Sequence, residues 1–221
     1  MAPATDSPPD RTARHRVRRH PERANYDRDA LFAVLDAAFL AHVAFTVDGQ
    51  PFAIPMLHAR DGERVLLHGS VSSRLLAALA GGAPCCLTVT VLDGLVLARS
   101  QFAHSVNYRS AVVFGRATEV TDPVEKARCL WRITDAIVPG RAADSRVPDA
   151  SELEGTRVLA LSIEDASVKV RSGGPKDRDA DLALPHWAGV VPLALVRGVP
   201  QPAPGSESQT LPAYLAPIAP R

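Results

Sequence analysis

The stretch SVNYRSAVVFG at residues 105–115 begins polar and ends apolar. Its first half carries Asn107, Tyr108, Arg109 and Ser110, and its second half is the β-branched and aromatic run VVF before a glycine. This pattern predicts a strand whose second half is buried and whose first half lines something polar. An anionic or heteroaromatic ligand would suit such a lining, and a solvated polar strand end is the alternative.

A second stretch, LLHGSVSSRLLAAL at residues 66–79, indicates a strand that leads into a capped helix. His68-Gly69-Ser70 interrupts the apolar run, and Ser72 or Ser73 can cap the helix that follows. Free N–H groups at a helix start favour an anion, and Arg74 adds a positive charge beside three serine hydroxyls. The stretch therefore predicts a phosphate site, with an ordinary capped helix as the alternative.

Composition limits the class of protein. The chain has 221 residues, a net charge of +1 and 46% hydrophobic residues, which suit one well-buried core. Near-neutrality argues against nucleic acid as the main partner. The chain has no apolar run near the ~20 residues of a membrane span, and residues 1–20 lack the apolar core of a signal peptide. We therefore expect no membrane partner and a cytoplasmic location.

The three cysteines, Cys85, Cys86 and Cys129, show no metal-type spacing, so we expect no metal site. Cys85 and Cys86 are neighbours on a predicted strand and should point to opposite faces as reduced core residues.

Asp-Gly pairs occur between the predicted strands. Asp48-Gly49, Asp61-Gly62 and Asp93-Gly94 each predict a hairpin turn. Helices are predicted over 27–39, over about 72–80 and after Asp122, and further strands over 156–163 and 166–171. Strands joined by tight turns, with helices inserted between them, favour a mainly β, antiparallel barrel over a doubly wound parallel sheet.

Both ends of the chain differ in composition from its middle. Arginines crowd residues 1–20, which predicts a disordered basic tail, with an arm for nucleic acid or membrane as the alternative. Residues 199–221 are rich in Pro, Ala, Ser and Gln and predict a second disordered tail. The folded domain should span residues 21–198.

Taken as an ordered set, several segments resemble the FMN-binding split-barrel family of the pyridoxamine 5′-phosphate oxidases. The branch they resemble includes flavin-nucleotide-binding and nitroimidazole-resistance proteins. The segments are DGQPFAIPM (48–56), LLHGSVSSR (66–74), LDGLVLARSQFAHSVNYRSAVVFG (92–115), IVPGR (137–141), LSIEDASVKVR (161–171) and LPHWAGVVPL (184–193). The resemblance implies a homodimer with FMN bound in grooves between the subunits.

The resemblance also assigns roles to individual residues. Arg74 would bind the FMN phosphate, aided by the serines, and the amides of Ile54 and Met56 would meet the flavin edge because Pro55 has no N–H. His68 would be either a cofactor contact or a catalytic proton donor. The full set of implied cofactor-binding residues is Ala53, Ile54, Pro55, Met56, His68, Gly69, Ser70, Ser72, Ser73, Arg74, Asn107, Tyr108, Arg109, Ser110, Lys169 and Trp187.

The oxidase activity itself does not transfer from the family to this chain. Those oxidases follow a Trp closely with an Arg-Leu-x-Pro element that binds substrate, whereas Trp187 is followed by AGVVPL and no arginine occurs before Arg197. Packing in the core is the alternative role for Trp187. Three functions remain open: an FMN oxidoreductase that takes electrons from a reduced nicotinamide to a nitro compound or quinone, a module that stores or delivers flavin, and a split barrel that binds deazaflavin or haem.

Overall fold

The structure, a computed structural model, describes residues 14–215. Nine strands lie in this range: β1 (Ala24–Asn25), β2 (Leu40–Val47), β3 (Gln50–Asp61), β4 (Arg64–Ser70), β5 (Pro84–Leu97), β6 (Ser105–Glu119), β7 (Thr156–Ser162), β8 (Asp165–Arg171) and β9 (Gly189–Pro192). The α-helices of the same range are α1 (Arg28–Asp36), α2 (Arg74–Ala80), α3 (Pro123–Ile137) and α4 (Ala150–Gly155). Single 3-10 turns lie at Pro21–Arg23, Gln101–Ala103, Asp179–Asp181 and Ala213–Leu215.

The strands close into an antiparallel barrel. β5 pairs with β2, and the ladder continues through β3, β4, β7 and β6 until β6 pairs back with β5. β8 and then β1 extend the sheet outward from the first half of β6, and β9 adds to β5. The predicted fold class, a mainly β antiparallel barrel with inserted helices, is confirmed.

The barrel interior is filled by alternate residues of its strands. Ala41, Val43 and Phe45 of β2 are buried while their neighbours face outward. α2 buries Leu75, Leu76 and Leu79 against the same core, and each leucine contributes about 1.5–3 kcal/mol. None of the helices within residues 14–215 is long and apolar enough to cross a membrane.

Local signals predict several elements correctly. Asp48 and Gly49 have φ of 50° and 77°, the left-handed pair that closes a two-residue hairpin between β2 and β3. Asp122 caps α3 by accepting a hydrogen bond from the Glu125 amide at 2.7 Å, with Pro123 in the first turn.

The predicted hairpin at Asp93-Gly94 is wrong. β5 runs straight through this pair, and a register shift against β6 marks a β-bulge there. A Cβ on Gly94 would lie 3.0 Å from the Val191 carbonyl oxygen of β9. The glycine therefore permits the close approach of another strand and makes no turn.

The basic N-terminal segment differs from the predicted solvated tail where it is described. His15 is 6% exposed and forms an ion pair with Asp165 of β8, which Arg14 also contacts at 2.5 Å. The ammonium of Lys169 donates to the Arg19 carbonyl at 3.0 Å. Residues 14–20 thus pack along β8, and residues 1–13 lie outside the described residues.

The C-terminal segment also contacts the domain where it is described. The Tyr214 hydroxyl donates to the Asp144 carboxylate at 2.5 Å and accepts from the Arg141 guanidinium at 3.3 Å. Residues 199–215 therefore return to the surface beside α3, and residues 216–221 lie outside the described part.

Candidate functional site

Arg74 is an exposed cation at the start of α2. Its guanidinium carbon lies 4.3 Å from the centroid of the Phe52 ring, and Arg74 forms no ion pair with any of residues 14–215. This contact holds the guanidinium over the ring and leaves its N–H donors available. Such a group is suited to bind a phosphate in a fork.

Three serines form a tight turn directly before Arg74. The Ser70 and Ser72 hydroxyl oxygens lie 2.8 Å apart, and the Ser73 hydroxyl caps α2 by accepting from the Leu76 amide at 3.4 Å. α2 has only seven residues, so its helix dipole contributes little. The hydroxyls and the guanidinium would therefore supply most of the attraction for an anion. Gly69 lets α2 pack closely, because a Cβ there would lie 3.0 Å from the Leu76 Cδ1.

The first half of β3 has one unpaired edge. β3 pairs with β2 along Gln50–Leu57, but its pairing with β4 begins only at His58. Within residues 14–215 no strand covers the other edge of this half, which contains Ala53, Ile54, Pro55 and Met56. This gap is the split in the barrel, and it leaves main-chain groups available to a flat ligand.

Register decides which of these main-chain groups face the gap. In a hairpin closed by a two-residue turn, the pair next to the turn exchanges main-chain hydrogen bonds, as does every second pair after it. By this count Ile54 and Met56 direct their amides to β2. The prediction that these amides meet a flavin is therefore wrong. Ala53 directs its N–H to the gap, where Pro55 has no donor.

His68 lies near the end of β4, opposite Val158 of β7. Its ring is half-buried, and its Nδ1 atom is buried without a hydrogen-bond partner among the described residues. Burial lowers the pKa of His68, so the imidazole is neutral at pH 7. A neutral imidazole is better suited to contact a cofactor or to bind a metal than to act as a proton donor.

Another histidine, His58, belongs to the core. It is 1% exposed, and its Nε2 atom bonds the Leu35 carbonyl at 3.0 Å. Burial lowers the pKa of His58 as well.

The polar start of β6 is engaged mainly with the protein itself. Arg109 forms a two-point ion pair with Asp93 at 2.8 and 3.0 Å. The Ser110 hydroxyl donates to the Lys169 carbonyl at 3.4 Å, and Asn107 is buried and donates to the Gly173 carbonyl at 3.2 Å. Tyr108 is half-buried. Arg109 is therefore a weaker anion binder than Arg74, because a carboxylate already offsets its charge.

The two late candidates, Lys169 and Trp187, lie at the surface. Trp187 is 66% exposed, so packing in the core of this chain is excluded as its role. Its ring covers Gly189, where a Cβ would lie 2.8 Å from the ring. Lys169 lies beside the N-terminal segment through its bond to the Arg19 carbonyl.

Asp61, Glu125 and Cys129 bring three metal-ligating atoms within 4.8 Å of one another. Two arginines already occupy the carboxylates: Arg128 bonds Asp61 at 2.6 Å and Glu125 at 2.7 Å, and Arg64 bonds both. Hydrogen bonds from Arg128 and then Arg64 lower the pKa of Glu125 to about 2. The cluster is accordingly an ion-pair network between α3 and the barrel.

The sequence prediction missed a basic cleft of about 640 Å³ beside β8. Its six cations come from distant parts of the chain: Arg19, Arg23, Lys169, Arg171, Lys176 and Arg178. The only signal was the arginine-rich N-terminus, which predicted a solvated tail instead.

The fold and the gap beside β3 define a split-barrel protein, and comparisons with known proteins agree. The sequence model of pyridoxamine 5′-phosphate oxidase matches residues 27–170, and the chain belongs to that family. No curated protein matches it.

Two solved structures are similar over almost the whole chain. One is the flavocytochrome Anf3 from Azotobacter vinelandii, with 40% identity over 92% of this chain and 95% of that one, and a TM-score of 0.86. Another is the FAD and haem binding protein from Mycobacterium smegmatis, with 41% identity over 87% and 95%, and a TM-score of 0.84. A protein described as a 5-nitroimidazole antibiotic resistance protein, from Bacteroides thetaiotaomicron, shares the fold at 18% identity over 66% and 86%, with a TM-score of 0.57.

Proposed function

We propose that this protein is a flavin-dependent oxidoreductase that passes electrons from a reduced nicotinamide to a small acceptor such as a nitro compound or quinone. The observation that carries the proposal is Arg74, a positioned guanidinium without an ion pair among residues 14–215, beside a turn of serine hydroxyls. When bound, the flavin supplies the hydride chemistry. The chain binds its phosphate at Arg74 and presents the Ala53 amide to the ring edge.

A haem is the second group that we propose for this chain. Support comes from the two relatives at 40% and 41% identity, which are a flavocytochrome and an FAD and haem binding protein. The residues fit such a group, because His68 holds a neutral imidazole whose Nδ1 atom has no partner among the described residues. Neutral imidazole is a common ligand of haem iron.

The phosphate site alone requires no more than FMN, whereas analogy with the relative from M. smegmatis favours FAD. We propose FAD, and denaturing the purified protein and chromatographing the released flavin decides between them. Recovery of FMN alone would overturn the choice of FAD.

We also propose a homodimer. Leu40, Leu57 and Leu92 are 46%, 38% and 53% exposed on the neighbouring strands β2, β3 and β5, and Trp187 and Leu195 add exposed apolar surface near β9. Exposed apolar side chains on neighbouring strands favour an interface. A flat flavin ring needs two walls, and a second copy would supply the wall that the gap beside β3 lacks.

Absorption spectra of the purified protein test the function. Flavin bands that bleach with reduced nicotinamide under anaerobic conditions, and return with a nitro or quinone acceptor, support the oxidoreductase. Flavin bands that never bleach favour the storage or delivery module, and a deazaflavin spectrum contradicts the flavin assignment. A Soret band tests the haem separately.

A further inference from the structure

The basic cleft lies between the N-terminal segment, the turn Gln101–Ala103 and the chain that follows β8. Its lining contains its six Lys and Arg residues and two histidines, and no Asp or Glu. The carboxylate of Glu22 contacts Arg23 at 3.7 Å and His20 at 3.1 Å from outside the lining. Six cations in a lining without a carboxylate concentrate positive charge, which favours a ligand with more than one negative charge.

Arg171 is the buried cation of this cleft. It is 7% exposed, and its guanidinium bonds the side-chain oxygen of Asn107 and the carbonyls of Gly173 and Gly174. None of these partners carries a negative charge. Burial and the charge of Arg23 lower the pKa of Arg171. An anion in the cleft would remove this cost, because a buried charge is stabilised by an opposite charge that it also hydrogen-bonds.

The walls of the cleft are already fixed. Asp177, with a side chain 3% exposed, accepts from the amide and the guanidinium of Arg99, both at 2.8 Å, and so ties the segment after β8 to the chain directly after β5. His20 has φ of 55°, a left-handed conformation that is uncommon for a residue with a Cβ. Strained residues held by fixed neighbours are typical of ligand clamps.

One exposed aromatic ring lies at the edge of the same cleft. Phe102 is 89% exposed, and the Arg178 guanidinium lies 5.9 Å from the centroid of its ring. A phenyl ring open to solvent beside clustered cations offers a stacking surface for a base next to binding groups for phosphates. The volume of about 640 Å³ suits a nucleotide-sized ligand.

We propose that the basic cleft binds the adenylate moiety of a dinucleotide, with its phosphate at Arg171 and its neighbours and the adenine against Phe102. This moiety has two sources: the adenylate half of FAD, or the reduced nicotinamide donor. The proposal rests on the proposed function, because that function supplies both dinucleotides.

The test uses the purified flavoprotein and the double variant Lys176→Ala/Arg178→Ala, whose side chains are exposed. The matched control is Arg146→Ala/Arg197→Ala, which removes two exposed charges outside the cleft. Calorimetry with ADP, retention of FAD and of FMN on dilution, and the KM for reduced nicotinamide are measured for each. Phe102→Ala tests the stacking surface alone.

If FAD is the source, the cleft variant should lose FAD about 10- to 100-fold more readily while FMN retention is unchanged. If the donor is the source, ADP should bind the wild-type protein and the KM for the donor should rise by a similar factor, with both flavins retained. A cleft variant that equals the control in ADP binding, FAD retention and KM overturns the proposal. A third outcome is a protein that carries no flavin but binds ADP, with the cleft variant losing that binding. This would overturn the proposed function and support the cleft as an adenylate site.

Discussion

Replacing Arg74 by alanine should weaken flavin binding without unfolding the protein. A hydrogen bond to a charged group contributes about 1.5–3 kcal/mol, and every ~1.4 kcal/mol is tenfold in affinity. The dissociation constant should therefore rise about 10- to 150-fold, and towards the lower end of that range because solvent screens the exposed guanidinium. Arg74→Lys keeps the charge but loses the fork, so its affinity should lie between those of Arg74→Ala and the wild type.

The fold should tolerate the change. Arg74 is exposed and has no ion pair among the described residues, and its contact with the Phe52 ring contributes about 0.5–1 kcal/mol at an exposed site. For a chain of this size such a loss lowers the melting temperature by roughly 1–4 °C.

Fluorescence titration of the apoprotein measures the dissociation constant, and thermal melts of the same samples measure stability. Arg197→Ala, which removes an exposed arginine elsewhere, serves as the control. An unchanged dissociation constant for Arg74→Ala would remove this residue from the phosphate site. A collapse of the melting temperature would show instead that its role is structural.

Four further expectations follow from other contacts. His68→Gln should remove a Soret band if His68 ligates a haem, and it should weaken flavin binding if His68 contacts the flavin. It should slow reoxidation by a nitro or quinone acceptor, by about 10²–10⁴-fold, only if His68 donates a proton. Unchanged spectra, affinity and rates would show that His68 has a structural role. Burial lowers the pKa of His58, so the folded state binds fewer protons than the unfolded chain and the free energy of unfolding should fall as the pH drops below about 6.5. Urea titrations at pH 7.5 and 5.5 test this, and an equal free energy of unfolding at both pH values would contradict it. The lowered pKa of Glu125, about 2, contributes stability that is lost only below about pH 4.5. Deleting residues 1–20 should lower the melting temperature, because the ion pairs of Arg14 and His15 with Asp165 are lost; an unchanged melting temperature would restore the solvated tail. On dilution, sedimentation should show dimers dissociating as flavin is released, whereas a flavin-loaded monomer would contradict a site shared between subunits.

The sequence predicts those parts of the structure that short-range signals determine. Asp48-Gly49 and the cap of α3 act within four residues, and both are found as predicted. Asp93-Gly94 carries the same signal as Asp48-Gly49 but lies inside a strand, because β9 arrives from about one hundred residues away and needs the glycine. Local chemistry predicts a turn at both pairs, and only the long-range packing distinguishes them.

The candidate site divides in the same way. Arg74 and the serines are adjacent in sequence, so they could be predicted as a group. The basic cleft could not, since its cations come from residues 19–23, 169–171 and 176–178, which long-range contacts such as the pairing of β8 with β1 bring together. The main-chain donor that faces the gap could be identified only from the hairpin register. The register directs the Ala53 N–H to the gap and the N–H groups of its neighbours to β2.

The two groups of cations also make different demands on a ligand. FMN has one phosphate, and Arg74 with the serine turn is sufficient to bind it. The basic cleft adds six more cations, one of them the buried Arg171 with no carboxylate bonded to it. A mononucleotide at Arg74 would leave that charge without an anion, whereas a dinucleotide brings the additional phosphate and an adenine for Phe102. Arg74→Ala should consequently weaken FMN and FAD equally, and the cleft variants should affect only ligands that carry the adenylate half.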